Sequence, residues 1–251
     1  MKDNISASAK IGLNVKIGYN VVIQNNAVIG NDCVIGNNVV IYPYSIIGNN
    51  VRIDDNTIIG KLPMFSPRSI FKAEKNWIPT SIGNNNSIGA NVIIYIQAII
   101  GDFNLIADYS SIRENVSIGD YNIIGRNVSI ENFTKIGNRN KLETNVYITA
   151  YSEIEDYCFV APCVSTSNDN FAGRDKERFN HFKGVTLKTG ARIGVGSTIL
   201  PGIILNEDCL VGAGSLVTKN IPSKQLWVGS PAKFIRNIPE NQLLINNIDK
   251  T

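Results

Sequence analysis

From position 82 to position 160 an aliphatic residue falls on every sixth place: Ile82, Ile88, Ile94, Ile100, Ile106, Ile112, Ile118, Ile124, Ile130, Ile136, Leu142, Ile148, Ile154 and Val160. That period belongs neither to an α-helix nor to a simple alternating strand. Four places after each aliphatic comes a small or inward-tolerable residue, as at Val92, Ala98, Ser110, Val116, Thr134 and Cys158. The pattern predicts a parallel β-helix, in which each hexad is a short strand plus a corner and three hexads close one triangular turn of about eighteen residues. The same phase runs through Ile5, Ile11, Ile17, Ile23, Ile29, Ile35, Ile41, Ile47, Ile53 and Ile59, and again through Leu187, Ile193, Ile199, Leu205, Val211 and Val217. The expectation is an all-β domain over residues 1–236, with roughly thirty hexads in about ten coils. Residues 237–251 read as a cap: Pro239 and Glu240 open a short C-terminal amphipathic helix with Leu243, Leu244 and Ile248 on one side, covering the open end of the solenoid.

Composition narrows the function classes. The formal charge is only +3 over 251 residues, and no cluster of Lys and Arg interleaves with stacking residues as a nucleic-acid platform requires. Residues 1–10 lack the apolar core of a signal peptide, and the longest apolar stretches, such as 92–100, are too short and interrupted to span a bilayer. The reading is a cytoplasmic protein with neither nucleic acid nor membrane as partner. The four cysteines have no metal-ligand spacing, and Cys33, Cys158 and Cys209 take inward slots as buried thiols.

Two segments break the period. Residues 61–80 (KLPMFSPRSIFKAEKNWIPT) carry prolines, basic residues and Phe65, Phe71 and Trp77; residues 165–186 (STSNDNFAGRDKERFNHFKGVT) carry the only histidine, His181. Irregular insertions in a regular solenoid are where function concentrates. If faces are counted from Ile82 and each insertion preserves the three-face count, the first insertion emerges on the third face and the second between the second and third, so the two share one side of the prism.

Residues eighteen apart stack in adjacent coils. Asn86, Asn104, Asn122 and Asn140 form one inward column, predicted to be an amide ladder along the axis. Asp108 stacks beside Arg126, and Arg113 beside Glu131, as inter-coil ion pairs of small energetic value; Asp108 and Glu131 are also candidate substrate contacts. Glu143 differs, because Gly125 and Ala161 lie below and above it and leave room for a ligand. Its neighbour Asn145 lies between Asn127 and Cys163.

The segments KGVTLKTGARIGVGSTILPGI and LVGAGSLVTKNIPSKQLWVGSPAKFIR closely resemble the C-terminal coils of hexapeptide-repeat acyltransferases. The resemblance implies a left-handed β-helix, a homotrimer with each site between two subunits, and acyl-coenzyme A as co-substrate without a metal. Within that superfamily, KLETNVYITAYSEIEDYCFVAPCVSTSND looks like the corresponding stretch of sugar-nucleotide N-acyltransferases, which acylate UDP- or dTDP-linked amino sugars for surface polysaccharide, including lipopolysaccharide. It implies that Asn145 stands where those enzymes often carry an active-site Asn or His, and that Asn168 and Asp169 open the extended loop. Gly194, Gly196, Gly212, Ala213 and Gly214 would run beside coenzyme A, with Lys219, Pro231, Ala232 and Lys233 at its adenine and phosphate end.

An amine is already nucleophilic when neutral, whereas a hydroxyl needs a base. With no histidine on a coil, the chain favours N-acylation, with Glu143, Asn145 and Asp169 orienting the amino sugar. His181, Glu143 or the departing thiolate would accept the proton. Arg68, Arg174 and Arg178 are candidates for the sugar-nucleotide pyrophosphate, and Phe182 for a further substrate contact. The sugar is read as a dTDP-linked amino-dideoxy sugar and the donor as an acetyl or short 3-hydroxyacyl thioester. Two alternatives stay open: an O-acetyltransferase using His181, and a non-catalytic scaffold. A carbonic anhydrase on this fold needs several histidines around zinc, and the chain has one.

Overall fold

A computed structural model describes residues 4–67 and 77–248. Over the described residues the chain winds as an all-β parallel solenoid of three sheets with 11, 10 and 12 strands, consistent with a left-handed β-helix. We call them faces A, B and C, beginning at Asn4–Ile5, Lys10–Ile11 and Lys16–Ile17 respectively. The eleven strands of face A make the solenoid slightly longer than the ten coils expected. Where no insertion intervenes, each strand pairs with the one eighteen residues on: Ile112 lies beside Ile130, and Ile118 beside Ile136. The aliphatic rungs point inward and form one continuous core from Ile23 to Val217.

The corners explain the abundance of Asn, Asp and Gly. The third corner residue of nearly every hexad has a left-handed backbone, as at Asn26 (φ 58°), Asp32 (φ 57°) and Asn145 (φ 62°), a conformation that Asn and Asp tolerate best after glycine. Several of these places hold aromatics, among them Phe103, Tyr121, Phe133 and Tyr151. The strain there is offset by stacking between coils: Phe103 on Tyr121 at 4.8 Å and Phe133 on Tyr151 at 5.2 Å.

Two amide ladders run along the axis. In the inner one, the Oδ1 atoms of Asn86, Asn104 and Asn122 each accept the backbone N–H of the next asparagine at 2.8 Å, and Asn140 accepts from Cys158. In the outer one, corner Asn and Asp side chains accept a backbone N–H from the coil before. Asp108 belongs to this second ladder: its Oδ1 takes the N–H of Ala90 at 2.9 Å. The expected ion pair between Asp108 and Arg126 does not form, because the carboxylate points back along the axis to that N–H. Cys33, Cys158 and Cys209 are buried as expected and Cys163 is exposed; burial pushes the Cys158 and Cys209 thiols up to about 12.

The C-terminus departs from expectation. In place of an α-helix, Lys233–Asn237 folds back antiparallel on Gln225–Val228, and two short 3-10 turns follow at Glu240–Gln242 and Leu244–Asn246. Ile238 and Leu243 are buried, while Ile245 and Ile248 are exposed. Among the described residues, no helix is long and apolar enough to cross a membrane.

Both insertions leave the prism from one corner. The first follows Ile58–Lys61 on face A and rejoins at Ser81–Ile82 on face B; the second follows Ser165–Thr166 on face A and rejoins at Thr186–Leu187 on face B. The second therefore starts one face later than the aliphatic count predicted, because Thr166 occupies a rung that the aliphatic pattern does not mark. Its hydroxyl donates to the Tyr147 carbonyl (3.1 Å) and accepts the Thr149 N–H (2.8 Å), which satisfies a buried polar side chain where the other coils place an apolar one.

Candidate functional site

The candidate residues fall on two edges of the prism that flank face A. On the edge between C and A lie Asp108, Glu143, Asn145, Cys163 and the corners Gly194 to Gly196 and Gly212 to Gly214. In the last two corners, glycines flank one small or medium side chain each, the exposed Val195 and Ala213. A Cβ on Gly194 would sit 2.5 Å from the Ala213 nitrogen, so that coil spacing needs glycine; Gly196 (φ 66°) and Gly214 (φ 65°) have nothing within 4 Å of a Cβ. Backbone is thereby open along this edge to an extended ligand. The turn from Gly229 to Ala232, which includes Pro231, closes its top, with the Ala232 N–H donating to the Leu216 carbonyl at 2.8 Å. Lower on the edge, Glu143 pairs with Lys141 at 3.1 Å. Asn127 donates to Asn145 Oδ1 at 2.8 Å, and Asn145 Nδ2 faces the Cys163 sulfur at 3.9 Å.

On the edge between A and B lie both insertions, with Glu131 between them. The second insertion is organised by Asp169, which accepts the N–H groups of Phe171 (2.8 Å) and Gly173 (3.0 Å) and an Arg178 Nη1 at 2.7 Å. Desolvation would raise this carboxyl, but those three bonds and the guanidinium charge hold it below the usual carboxylate range. Arg178 also lies over the Phe179 and Phe182 rings. His181 meets Glu177 at 3.3 Å and is half exposed, and Arg174 is exposed. Asn168 anchors the loop base, its carbonyl accepting from the Lys183 N–H at 3.2 Å. Lys219 and Lys233 are exposed, Lys219 on this edge and Lys233 in the terminal hairpin. Arg68 lies outside the described residues.

Below that loop, in the coils between the two insertions, stands a charged cluster of which eighteen-residue stacking predicts only the Arg113–Glu131 pair. Arg113 forks onto Glu114 through Nε (2.8 Å) and Nη2 (2.9 Å), and reaches Glu131 with Nη1 at 3.5 Å. Asn132 Nδ2 approaches Glu114 at 3.4 Å, and the Tyr95 ring backs the guanidinium at 5.0 Å. The Glu114 side chain is 6% exposed. Burial pushes the Glu131 carboxyl up, against the pull of Arg113 and with Glu114 adding to the rise. Eighteen-residue stacking could pair Arg113 with Glu131, but nothing in the pattern shows that the adjacent Glu114 turns inward and takes the better bonds. Beside the first insertion, Tyr42, Pro43, Gly60, Leu62, Trp77 and Ile96 line an apolar pocket of about 200 Å³. A larger cleft of about 370 Å³ lies on the remaining edge, beneath the C-terminal turns, lined by Tyr157, Arg192, Asp208 and Leu244 among others.

The sequence-predicted set is thus divided. Glu143 and Asn145 share an edge with the glycine corners, Asp169 and His181 share the other with Glu131, and the width of face A separates the two groups in one chain.

Fold and repeat define a hexapeptide-repeat β-helix protein. The family model described as bacterial transferase hexapeptide (six repeats) matches residues 8–43, 32–61 and 97–132, and that described as hexapeptide repeat of succinyl-transferase matches 189–219. Over these stretches the chain is similar to hexapeptide-repeat transferases. It is 40% identical over 63 residues to a mitochondrial gamma carbonic anhydrase 2 of Arabidopsis thaliana, covering 24% of this chain and 23% of that protein. It is 47% identical over 58 residues to a putative acetyltransferase of Schizosaccharomyces pombe, covering 23% of this chain and 28% of that protein. The chain thus spans about a quarter of the length of these relatives. Among solved structures, a UDP-N-acetylglucosamine acyltransferase from Bacteroides fragilis is similar over 94% of this chain and 72% of its own, at 23% identity and a TM-score of 0.49.

Proposed function

We propose that the protein is an acyl-coenzyme A-dependent N-acyltransferase acting on the amino group of a nucleotide-linked sugar, with a dTDP-linked amino-dideoxy sugar as first choice. One observation carries the reading: both insertions and a partly buried charged cluster share one edge, while the neighbouring edge is bare backbone at Gly196 and Gly214. The bare edge suits the long, narrow arm of an acyl-coenzyme A, whose amide groups can bond to exposed backbone. The furnished edge suits a sugar nucleotide, its planar base in the apolar pocket at Trp77 and Tyr42 and its sugar reaching up toward the charged cluster. In a homotrimer, one subunit's bare edge would face its neighbour's furnished edge, which brings together the groups that a single chain keeps apart.

The reaction needs a positioned neutral amine, a donor to the thioester oxygen and a place for the lost proton. The N–H groups of Gly194, Gly196, Gly212 and Gly214 already donate to carbonyls of neighbouring coils, so the donor to the oxygen is another group on the bare edge. A hydroxyl acceptor would need a stronger base; the contact between His181 and Glu177 supports that second reading, an O-acetyltransferase. The carbonic anhydrase relatives share the repeat, but zinc held by imidazoles needs several histidines and the chain has one.

The test is thiol release from acetyl- and 3-hydroxybutyryl-coenzyme A against dTDP- and UDP-amino sugars, with hydroxyl-only sugars and serine as controls. Release that requires an amino sugar is the expected result. Release with hydroxyl acceptors alone, abolished in His181→Ala, would replace N-acylation by O-acylation.

A further inference from the structure

We infer that Glu131, on the edge between the two insertions, takes the proton from the acceptor amine; this rests on the N-acylation reading and names the acid–base group within it. Three neighbouring facts select it. Glu114 is spent: both oxygens are held by Arg113 at 2.8 and 2.9 Å, and Asn132 lies at 3.4 Å. That fork neutralises Arg113, which leaves Glu131 only one long contact at 3.5 Å through a single oxygen. The other oxygen of Glu131 has no protein hydrogen bond among the described residues, and the side chain is 27% exposed, so one face of the carboxylate is open to a ligand.

The position is also right. Glu131 follows the strand Ser129–Ile130, which is three coils above the strand where the first insertion leaves and two coils below the strand where the second leaves. At about 4.8 Å per coil, each insertion starts roughly 10 to 15 Å away along the axis, so a sugar nucleotide seated between them passes this residue. The charged and titratable groups around it are Arg113 and Glu114 in the coil below, Tyr95 beneath Arg113, and Tyr147 beside it on face A. Desolvation and Glu114 together outweigh Arg113 and raise the carboxyl, which brings it toward the range where a base works at neutral pH.

The two other acid–base candidates are less suited. Glu143 is held by Lys141 at 3.1 Å, and His181 stands half exposed on the outer loop against Glu177.

In the step itself, the neutral amine nitrogen attacks the thioester carbonyl carbon and a C–N bond forms. The Glu131 carboxylate takes the N–H proton, the C–S bond breaks, and the departing thiolate receives that proton to leave as coenzyme A thiol. The products are the amide and the thiol, and the carboxylate is restored.

The experiment compares wild type, Glu131→Gln and Glu131→Asp by thiol release with the best amino-sugar acceptor from pH 5 to 9, alongside coenzyme A affinity and thermal unfolding. Expected is a loss in kcat of about 100-fold or more for Glu131→Gln, with acceptor KM and coenzyme A affinity within about threefold and the acidic limb of kcat against pH abolished. Glu131→Asp should recover part of kcat with that limb restored. A kcat for Glu131→Gln within threefold of wild type, or an unchanged acidic limb, overturns the proposal while leaving N-acylation standing. Wild-type protein that releases thiol with no amino sugar overturns both.

Discussion

Asn122 shows how much one residue carries in this architecture. Its Oδ1 accepts the buried N–H of Asn140 at 2.8 Å, and its Nδ2 donates to the Gly137 carbonyl at 2.9 Å and to Asn104 at 3.0 Å. Asn122→Ala leaves a buried donor and a buried acceptor unmade, so we expect a loss of about 1–3 kcal/mol per orphaned group, read as a lower midpoint in denaturant unfolding. Asn122→Asp should cost as much, because a carboxylate cannot donate to the Gly137 carbonyl. Cys163 offers a second check at this scale. Cys33, Cys158 and Cys209 are buried and Cys163 is exposed, and only an accessible thiol reacts readily. Native protein should therefore release one equivalent of chromophore rapidly with a disulfide reagent, and Cys163→Ser should abolish that phase. Since Cys163 lies on the bare edge beside Asn145, the label should also weaken coenzyme A binding; unchanged affinity would remove the ligand from that edge.

At the scale of elements, the insertions and the solenoid obey different rules. A coil is held by its neighbours above and below, and a loop only by what it carries. In the second insertion that is chiefly Asp169, whose two backbone bonds and Arg178 pair set the turn. Its carboxyl is depressed relative to the unfolded chain. The order it contributes is therefore complete above the ordinary aspartate pKa and is lost as pH falls through the lower folded value. Asp169→Asn should speed tryptic cleavage after Arg174 and Arg178 at pH 8 while the thermal midpoint of the solenoid stays where it is; equal cleavage rates would show that Asp169 does not organise the loop. The face from which this loop leaves differs from the one the aliphatic pattern predicts because Thr166 fills its rung with hydrogen bonds and carries no aliphatic signature.

At the scale of the whole molecule, a solenoid is a stack whose last strands would offer unpaired edges. Lys233–Asn237 answers this on face C by running antiparallel to Gln225–Val228 and ending its parallel order. Removing residues 233–251 should leave the coils folded by circular dichroism but promote association, visible as a rise in scattered light with concentration. A monodisperse truncated protein of unchanged size would show that the hairpin is not a stop.

The six-residue period by itself determined the parallel stack, the inward rungs, the asparagine ladder and the existence of two excursions, because each is a consequence of repeating one backbone geometry. Aliphatics at every sixth place can be buried together only if three short faces recur, and residues eighteen apart must then touch. The tertiary structure alone decided which way individual corner side chains turn: Asp108 back to the Ala90 N–H and not to Arg126, Glu114 inward under a forked Arg113, and Glu131 left half-open beside it. These choices depend on competition among neighbours for the same donors, and a repeat specifies where side chains stack but not which partner each of them takes.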